Sequence, residues 1–373
     1  MPNNTALWLP AKRATALKVG PAPYTAPKAG EIVVRVHAVA VNPMDRLMQT
    51  VGDLITPYLA YPFVLGSDVA GEVVEIGEGV TRFRLGERVL GHAVGSDKAR
   101  NHAAEGAFQT HAVLLAHMAA PMPEDMPFEA AAVLPLALST AACGLFQQDQ
   151  LALDPPSLAP RRNGKWVLIW GASTSVGCNA VQLAVAAGYQ VVATASPANF
   201  DYVKSLGASL VFDYRSNSVV ADIVAALRGH EVAGALAIGL GSATASVAIL
   251  GQCQGKRFVA MATPPASFDA VPAGQGRIWR LAPVLMRMVA GSISLALKAQ
   301  RRGVRTAMIW GSSLLGNEVG PMIYEAFLPE ALASGRYVAA PAPLVVGHGL
   351  THIVQALERQ RRGVSACKLV VTL

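Results

Sequence analysis

Residues Lys165–Gly177 read K-W-V-L-I-W-G-A-S-T-S-V-G, a short apolar run of β-prone residues that ends in a turn of small ones. The stretch after it, CNAVQLAVAAG, has helical periodicity. A strand that delivers a glycine turn onto a helix N-terminus aims backbone N–H groups and the positive helix end at one point, which suits a pyrophosphate. Gly171 and Gly177 allow the close approach. The turn departs from G-x-G-x-x-G, because Ser173, Thr174 and Ser175 stand where glycines are usual, and an ordinary tight turn is the competing reading. A second β-rich run, Tyr189–Ala195, falls about 20 residues downstream, where the ribose-reading group of a βαβ unit belongs. The two runs together predict a dinucleotide site.

Binders of the unphosphorylated dinucleotide place Asp or Glu after that second strand; this chain has Ser196, followed by Pro197, Asn199 and Phe200. A 2′-phosphate meets no carboxylate there. Ser196 offers a hydroxyl, Asn199 an amide and Lys204 a positive charge about two helical turns on, and Tyr214 follows in VFDYR. NADPH is therefore expected over NADH. The plainer alternative makes Ser196-Pro197 a helix start and Lys204 a solvated side chain.

At 373 residues with 52% hydrophobic content, the chain suits two domains of ordinary size. Its net charge of +7 is scattered in small clusters (Lys12/Arg13, Arg161/Arg162, Lys298/Arg301/Arg302/Arg305, Arg359/Arg361/Arg362) with few aromatic neighbours. These read as solvated faces, and no nucleic-acid partner is expected. Cys143, Cys178, Cys253 and Cys367 are far apart and supply neither a C-x-x-C zinc pattern nor a disulfide framework. The N-terminus lacks a secretory pattern, and Leu281–Leu297, the longest apolar stretch, is interrupted by Arg287 and is expected to fall short of a membrane span. No membrane association and a cytoplasmic location are the expectations.

The first third alternates in β fashion over Glu31–Val41, Val69–Ile76 and Arg88–Leu90, with frequent glycines, and predicts a twisted, partly open barrel. From about Ser139 strands and helices alternate, with strands at Trp166–Trp170, Gln190–Thr194, Leu210–Phe212, Ala235–Ile238, Phe258–Ala262 and Thr306–Trp310. That is a doubly wound α/β domain. Asp154–Asn163 reads as a proline-rich surface loop. Thr263–Arg305 holds a Pro/Gly loop through Gln275 and then an apolar segment flanked by arginines, which reads as a lid over the substrate, a buried helix or, with less support, a membrane-surface helix. A helix over Val319–Ser334, a return through Pro341 and Pro343, and a closing strand at Leu369–Leu373 complete the chain.

Several stretches now carry a resemblance: Gly66-Ser-Asp-Val-Ala-Gly-Glu-Val-Val-Glu-Ile-Gly-Glu-Gly-Val, Leu85-Gly-Glu-Arg-Val-Leu-Gly91, Gly106-Ala-Phe-Gln, Ala131-Ala-Val-Leu-Pro135 and Leu138-Ser-Thr-Ala141. Over nearly its whole length the chain resembles the medium-chain dehydrogenase/reductase superfamily. Within it the nearest likeness is to the zinc-free quinone oxidoreductase and enoyl reductase branch, particularly fungal CipB-like proteins and the trans-acting enoyl reductases of polyketide synthases. The resemblance implies a GroES-like barrel domain over residues 1–138, a Rossmann NADPH-binding domain over 139–318, a return segment over 319–373 that completes the first domain, and an active site in the cleft.

Residue by residue, the resemblance places Asn42, in the N-P-x-D stretch Asn42-Pro43-Met44-Asp45, near the nicotinamide ribose and substrate, with Asp45 structural. It places Thr140 at the cofactor, Ser173, Val176 and Gly177 at the pyrophosphate turn, to which the turn's own chemistry adds Gly171 and Thr174, and Ser196, Lys204 and Tyr214 at the 2′-phosphate, to which the Asn199 amide adds a donor. Gly239 and Ala262 flank the ribose, and Leu314, Asn317 and Lys368 close over the cofactor. Zinc-dependent members have a Cys at Asn42 and a His beside a Glu at Ser67 and Asp68, so no metal is expected. His92, His102, His111 and His117 read as loop or core histidines.

The tyrosine many quinone reductases carry in R-x-G-x-Y is missing from the matching stretch after Met48; Tyr58 and Tyr61 follow closely and are the candidate phenols. The implied activity is NADPH-dependent reduction of an activated C=C bond or a quinone, on a small-molecule or carrier-bound substrate. A polyketide synthase partner is one alternative and a non-catalytic, crystallin-type NADPH binder another; either a monomer or a homodimer fits.

Overall fold

The computed structural model describes residues 3–274 and 277–373, so the end of the Pro/Gly loop at Gln275 lies outside the described residues. The chain divides into two compact units, one of Met1–Leu136, Phe268–Leu281 and Ile323–Leu373, the other of Ala137–Ser267 and Ala282–Met322.

In the first unit the strand Glu31–Ala40 organises the barrel. Along one edge it pairs with Asp68–Ile76; the other edge is shared by His111–Leu115, which pairs with Glu31–Arg35, and Cys367–Thr372, which pairs with Ala38–Ala40. Register shifts between Val33 and Val34 and between Val36 and Ala38 let so long a strand bend around a core containing Ile32, Val34, Phe63, Phe108 and Leu369. This is the partly open barrel expected. The return segment holds more structure than its prolines suggested: a strand Ala342–His348 and a helix His352–Arg361, which buries Ile353, Ala356 and Leu357. Pro343 is tolerated because its strand lies at the sheet's edge.

In the second unit six parallel strands, Trp166–Trp170, Gln190–Ala195, Leu210–Asp213, Glu231–Ala237, Phe258–Met261 and Arg305–Met308, lie in the spatial order third, second, first, fourth, fifth, sixth. The four inner strands are short, buried apolar runs, as parallel strands covered on both faces require, whereas the edge strands Leu210–Asp213 and Arg305–Met308 are partly exposed. The order reverses beside Trp166–Trp170, between that strand and Glu231–Ala237, which makes the crevice there the switch point of a doubly wound sheet. The loop Asp154–Asn163 has no helix or strand and is tied down where the Tyr189 hydroxyl donates to Asp154 Oδ2 at 2.9 Å. From Val319 to Ala333 the chain is helical, but Met322–Phe327, between Pro321 and Pro329, takes the wider π form.

Ile278–Arg301 departs from expectation. It is a 24-residue helix, long and apolar enough by length and composition to cross a membrane, and it is not a buried helix. Leu281, Val284, Leu295 and Ala299 anchor one face, whereas Leu285, Met286, Val289, Ile293 and Leu297 are exposed. Arg277, just before it, is likewise no surface charge. Its guanidinium makes paired hydrogen bonds of 2.8 and 2.6 Å to the two oxygens of Asp53 and a third to the Thr50 carbonyl, with both side chains 7% exposed. Breaking a buried pair strands one charge, at about 3–5 kcal/mol; Arg13, at 2.7 Å from Asp53, softens that. Arg277→Ala should lower stability by about 2–4 kcal/mol in chemical denaturation, and an effect under ~0.5 kcal/mol would contradict this reading.

Candidate active site

The strand ends of the second unit converge. Ala195 is the register partner of Asp213, Thr194 of Trp170, Trp170 of Ala237, and Ala237 of Met261. The residues just beyond them, Gly171, Ser196, Tyr214, Gly239 and Ala262, therefore stand at the carboxyl ends of five adjacent parallel strands. Gly171 turns the chain at φ +82°, and a Cβ there would lie 2.7 Å from the Ile238 carbonyl oxygen. A Cβ on Gly177 would meet the Gly171 oxygen at 2.3 Å, so the helix Ser175–Ala186 starts directly against the turn.

The turn is braced from within. Thr174 Oγ1 donates to the Gly171 carbonyl at 2.7 Å and accepts the Gly177 N–H at 3.1 Å, while Thr194 Oγ1 accepts the Gly171 N–H at 3.0 Å. Gly171 and Gly177 thus contribute space; their N–H groups are committed. The donors left to an anion are those of Ser175 and Val176, which as first-turn residues have no intrahelical partner, together with the positive helix end and the Ser173 side of the turn. Such a cradle fits a pyrophosphate.

At the next strand end, Asn199 Nδ2 donates to Ser196 Oγ at 3.0 Å, which leaves the Ser196 proton free to point elsewhere. Lys204 is half-exposed, 3.9 Å from a fully exposed Asp201. Tyr214 is exposed, with the Arg215 guanidinium 5.6 Å from its ring centroid and 3.2 Å from Asp213. The backbone N–H and side chain of Arg215 hold the Asp213 carboxyl below its ordinary range. Arg215, the last residue of VFDYR, is a further cation at this strand end that motif spacing alone does not mark. Thr140 sits half-buried on the helix Pro135–Phe146. Leu314 is fully buried, so only its backbone is available to a ligand, and the Asn317 side chain is spent locally, donating to the Ser313 carbonyl and accepting from Val319 N–H, each at 3.0 Å.

In the first unit a second cluster forms. Asn42 caps the helix Pro43–Ile55, with Pro43 in its first turn and Asp45 Oδ2 accepting the Asn42 N–H at 2.8 Å, so the N-P-x-D stretch is a reciprocal helix cap. Asn42 Nδ2 donates at 2.6 Å to Asp68 Oδ2, which also takes the Lys368 ammonium at 2.6 Å; Asp68 Oδ1 accepts the Leu136 N–H at 2.7 Å. Lys368 is 3% exposed and gives a further bond to the Val133 carbonyl at 3.1 Å. Lys368, expected at the cofactor, thus has its ammonium on Asp68 and the Val133 carbonyl.

His92, across the sheet from Asp68, is pushed down to about 4 by burial and is neutral at physiological pH. Among the described residues no three His, Cys, Asp or Glu side chains stand together as a metal site. Burial raises the pKa of both Tyr58 and Tyr61, so both phenols keep their protons. Tyr58 donates its proton to the Ser96 carbonyl at 3.0 Å, which makes it a loop tie; Tyr61 packs on the barrel core.

Residues 28–124 match the alcohol dehydrogenase GroES-like domain. The whole chain is 50% identical over 374 residues to the dehydrogenase pigH of Monascus ruber, with all of each chain covered. It is 37% identical to the trans-enoyl reductase himH of Aspergillus japonicus, covering 99% of this chain and 97% of that one. Among solved structures, the CurK enoyl reductase shares the fold with a TM-score of 0.69 at 22% identity and 99% coverage of both chains.

Gly177→Ala should fold yet lose at least about a hundredfold, ~2.7 kcal/mol, in nicotinamide nucleotide affinity by calorimetric titration; unchanged affinity would mean the turn is no cradle. Asp45 supplies a pH test. Desolvation lifts its pKa from 3.8 to about 7, against the pull of the Asn42 N–H. Because the folded value is raised, protonated Asp45 favours the fold below the unfolded pKa, and that contribution is lost as pH climbs through about 7. Asp45→Asn, which keeps a neutral acceptor, should change little near pH 4 and stabilise by about 1–3 kcal/mol at pH 8; equal effects at both pH values would rule this out.

Proposed function

The chain belongs to the medium-chain dehydrogenase/reductase superfamily, in its quinone and enoyl reductase branch, and from that premise we propose an NADPH-dependent, zinc-independent reductase of an activated C=C bond, in an enone or enoyl thioester, or of a quinone. Residues 139–318 are assigned the nucleotide, and 1–138 with 319–373 the substrate. The observation that carries this reading is the Asn42–Asp68–Lys368 cluster. A catalytic zinc needs three protein ligands, by preference thiolate and imidazole. Here position 42 offers an amide, position 67 a hydroxyl, and Asp68 a carboxylate whose oxygens already accept three donors, one of them an ammonium at 2.6 Å. A dication does not fit beside that ammonium.

Polarising an isolated carbonyl asks for a Lewis acid, whereas addition to a conjugated double bond leaves an enolate that hydrogen-bond donors can hold. Bound NADPH would supply the hydride. The chain's own part is to hold and orient: the turn Gly171–Gly177 takes the pyrophosphate, and Ser196, Lys204, Tyr214 and Arg215 favour a 2′-phosphate. Tyr61, kept protonated by burial, is the remaining phenol for the developing enolate. The likeness to a trans-enoyl reductase favours one refinement, an enoyl group carried on a polyketide synthase.

The test is turnover of quinones, enones and enoyl thioesters with NADPH and NADH, with and without chelator, on protein of measured metal content. The expected result is chelator-resistant, NADPH-preferring reduction without stoichiometric zinc. Lys204→Ala should raise the KM for NADPH about three- to tenfold, or ~0.7–1.4 kcal/mol, and leave that for NADH unchanged. Equal loss for both nucleotides would reject the 2′-phosphate assignment, a zinc requirement would reject the metal-free site, and NADPH binding without any turnover would leave a binding protein.

A further inference from the structure

The helix Ile278–Arg301 presents three faces. Leu295 and Ala299 point into the core of their unit. On the far side Met286, Val289, Ile293 and Leu297 form a continuous stripe, with Met286 68% and Ile293 57% exposed. At 100° per residue these four fall within one quarter of the helix surface. Arg287, Lys298 and Arg301 then line up along one flank of that stripe. The opposite flank carries Ser292 and Ala296, and no Asp or Glu occurs between Arg277 and Arg305. Among the described residues none of the three flanking cations forms an ion pair. The sequence could not tell whether these cations share a face; the helix gives them one.

We propose that this helix docks an acidic acyl-carrier domain, its apolar stripe meeting the ridge of a partner helix and its basic flank meeting that helix's carboxylates. The carrier's load rests on the enoyl-thioester reading above; the docking surface does not. Charge chooses the occupant. In a two-fold antiparallel pairing with a second copy, the basic flanks would lie on the same side and repel. The stripe, with Leu285, exposes on the order of 500 Å² of apolar surface, at the upper end for a monomer's largest patch but short of the ~800 Å² per partner of a standard stable interface. That size suits a partner that must arrive and leave. A membrane is the less favoured occupant, because the cations line one flank of the stripe only.

The test uses a stand-alone acyl carrier protein bearing a crotonyl group on its phosphopantetheine arm, fluorescently labelled, with the full-length reductase. Anisotropy should show binding that weakens steeply with salt and at least tenfold in Arg287→Glu/Lys298→Glu/Arg301→Glu. Ile293→Ser/Leu297→Ser should weaken it without changing the salt slope, with thermal melts confirming that both variants fold. The KM for crotonyl carrier should rise in step, while kcat and KM for crotonyl N-acetylcysteamine stay within twofold. If neither thioester is reduced, the enoyl reading falls and anisotropy alone judges the docking. Binding indifferent to both variants overturns the proposal. So does sedimentation of the reductase with phosphatidylserine-rich vesicles that the charge variant abolishes while carrier binding persists, or self-association that the stripe variant abolishes.

Discussion

Asp68 is the fixed point of the first unit. Its carboxylate is wholly buried and accepts from the Lys368 ammonium, the Asn42 side chain and the Leu136 N–H. These come from the last strand, the cap of the helix Pro43–Ile55, and the residue following Pro135 near the start of the next long helix. One carboxylate thereby ties the C-terminal return to the barrel that the N-terminal third begins. A buried charge tolerates the loss of no partner, which makes the arrangement rigid and also makes it exclusive: an ammonium and a dication cannot both occupy it. Under the proposed function, the interaction that closes the barrel also takes the place a zinc ion would need.

On that reading the site works by holding groups in place. The second unit does this with backbone. Two glycines let a helix begin against a strand turn, and two threonine hydroxyls occupy the N–H groups that are not meant for ligand. The side chains proposed for the 2′-phosphate start from the second strand end, where Ser196 and Tyr214 follow Ala195 and Asp213, which are register partners. Asp201 and Asp213 pair with Lys204 and Arg215 and temper their field, so the proposed preference for a 2′-phosphate would rest on hydrogen bonds as much as on net charge.

Much of this was legible in the sequence where the signal is local. Short apolar runs between glycines mark the six parallel strands to within a few residues, whereas the N-P-x-D stretch did not announce the helix Pro43–Ile55 that Asn42 caps. What else escaped is non-local. Lys368 and Asp68 are 300 positions apart, and nothing near Lys368 distinguishes it from a lysine that meets a ligand. Arg277 carries no local sign that Asp53, 224 positions away, lies opposite its guanidinium. The strand Ala342–His348 and the helix His352–Arg361 were obscured by Pro341, Pro343 and a run of arginines, since an edge strand admits proline and a surface helix admits charge. For Ile278–Arg301 the periodicity was plain, but periodicity alone does not say which of two apolar faces the core takes.

The central claim is hydride addition to a carbon–carbon double bond at a site without metal. It is tested most directly by incubating chelator-treated, metal-free protein with 4-deuterated NADPH and an α,β-unsaturated thioester, and locating the label by NMR. The account predicts one deuterium at the β-carbon of the saturated product and a solvent proton at the α-carbon. Deuterium on a carbonyl-derived carbinol, or transfer that returns only when zinc is restored, would contradict it.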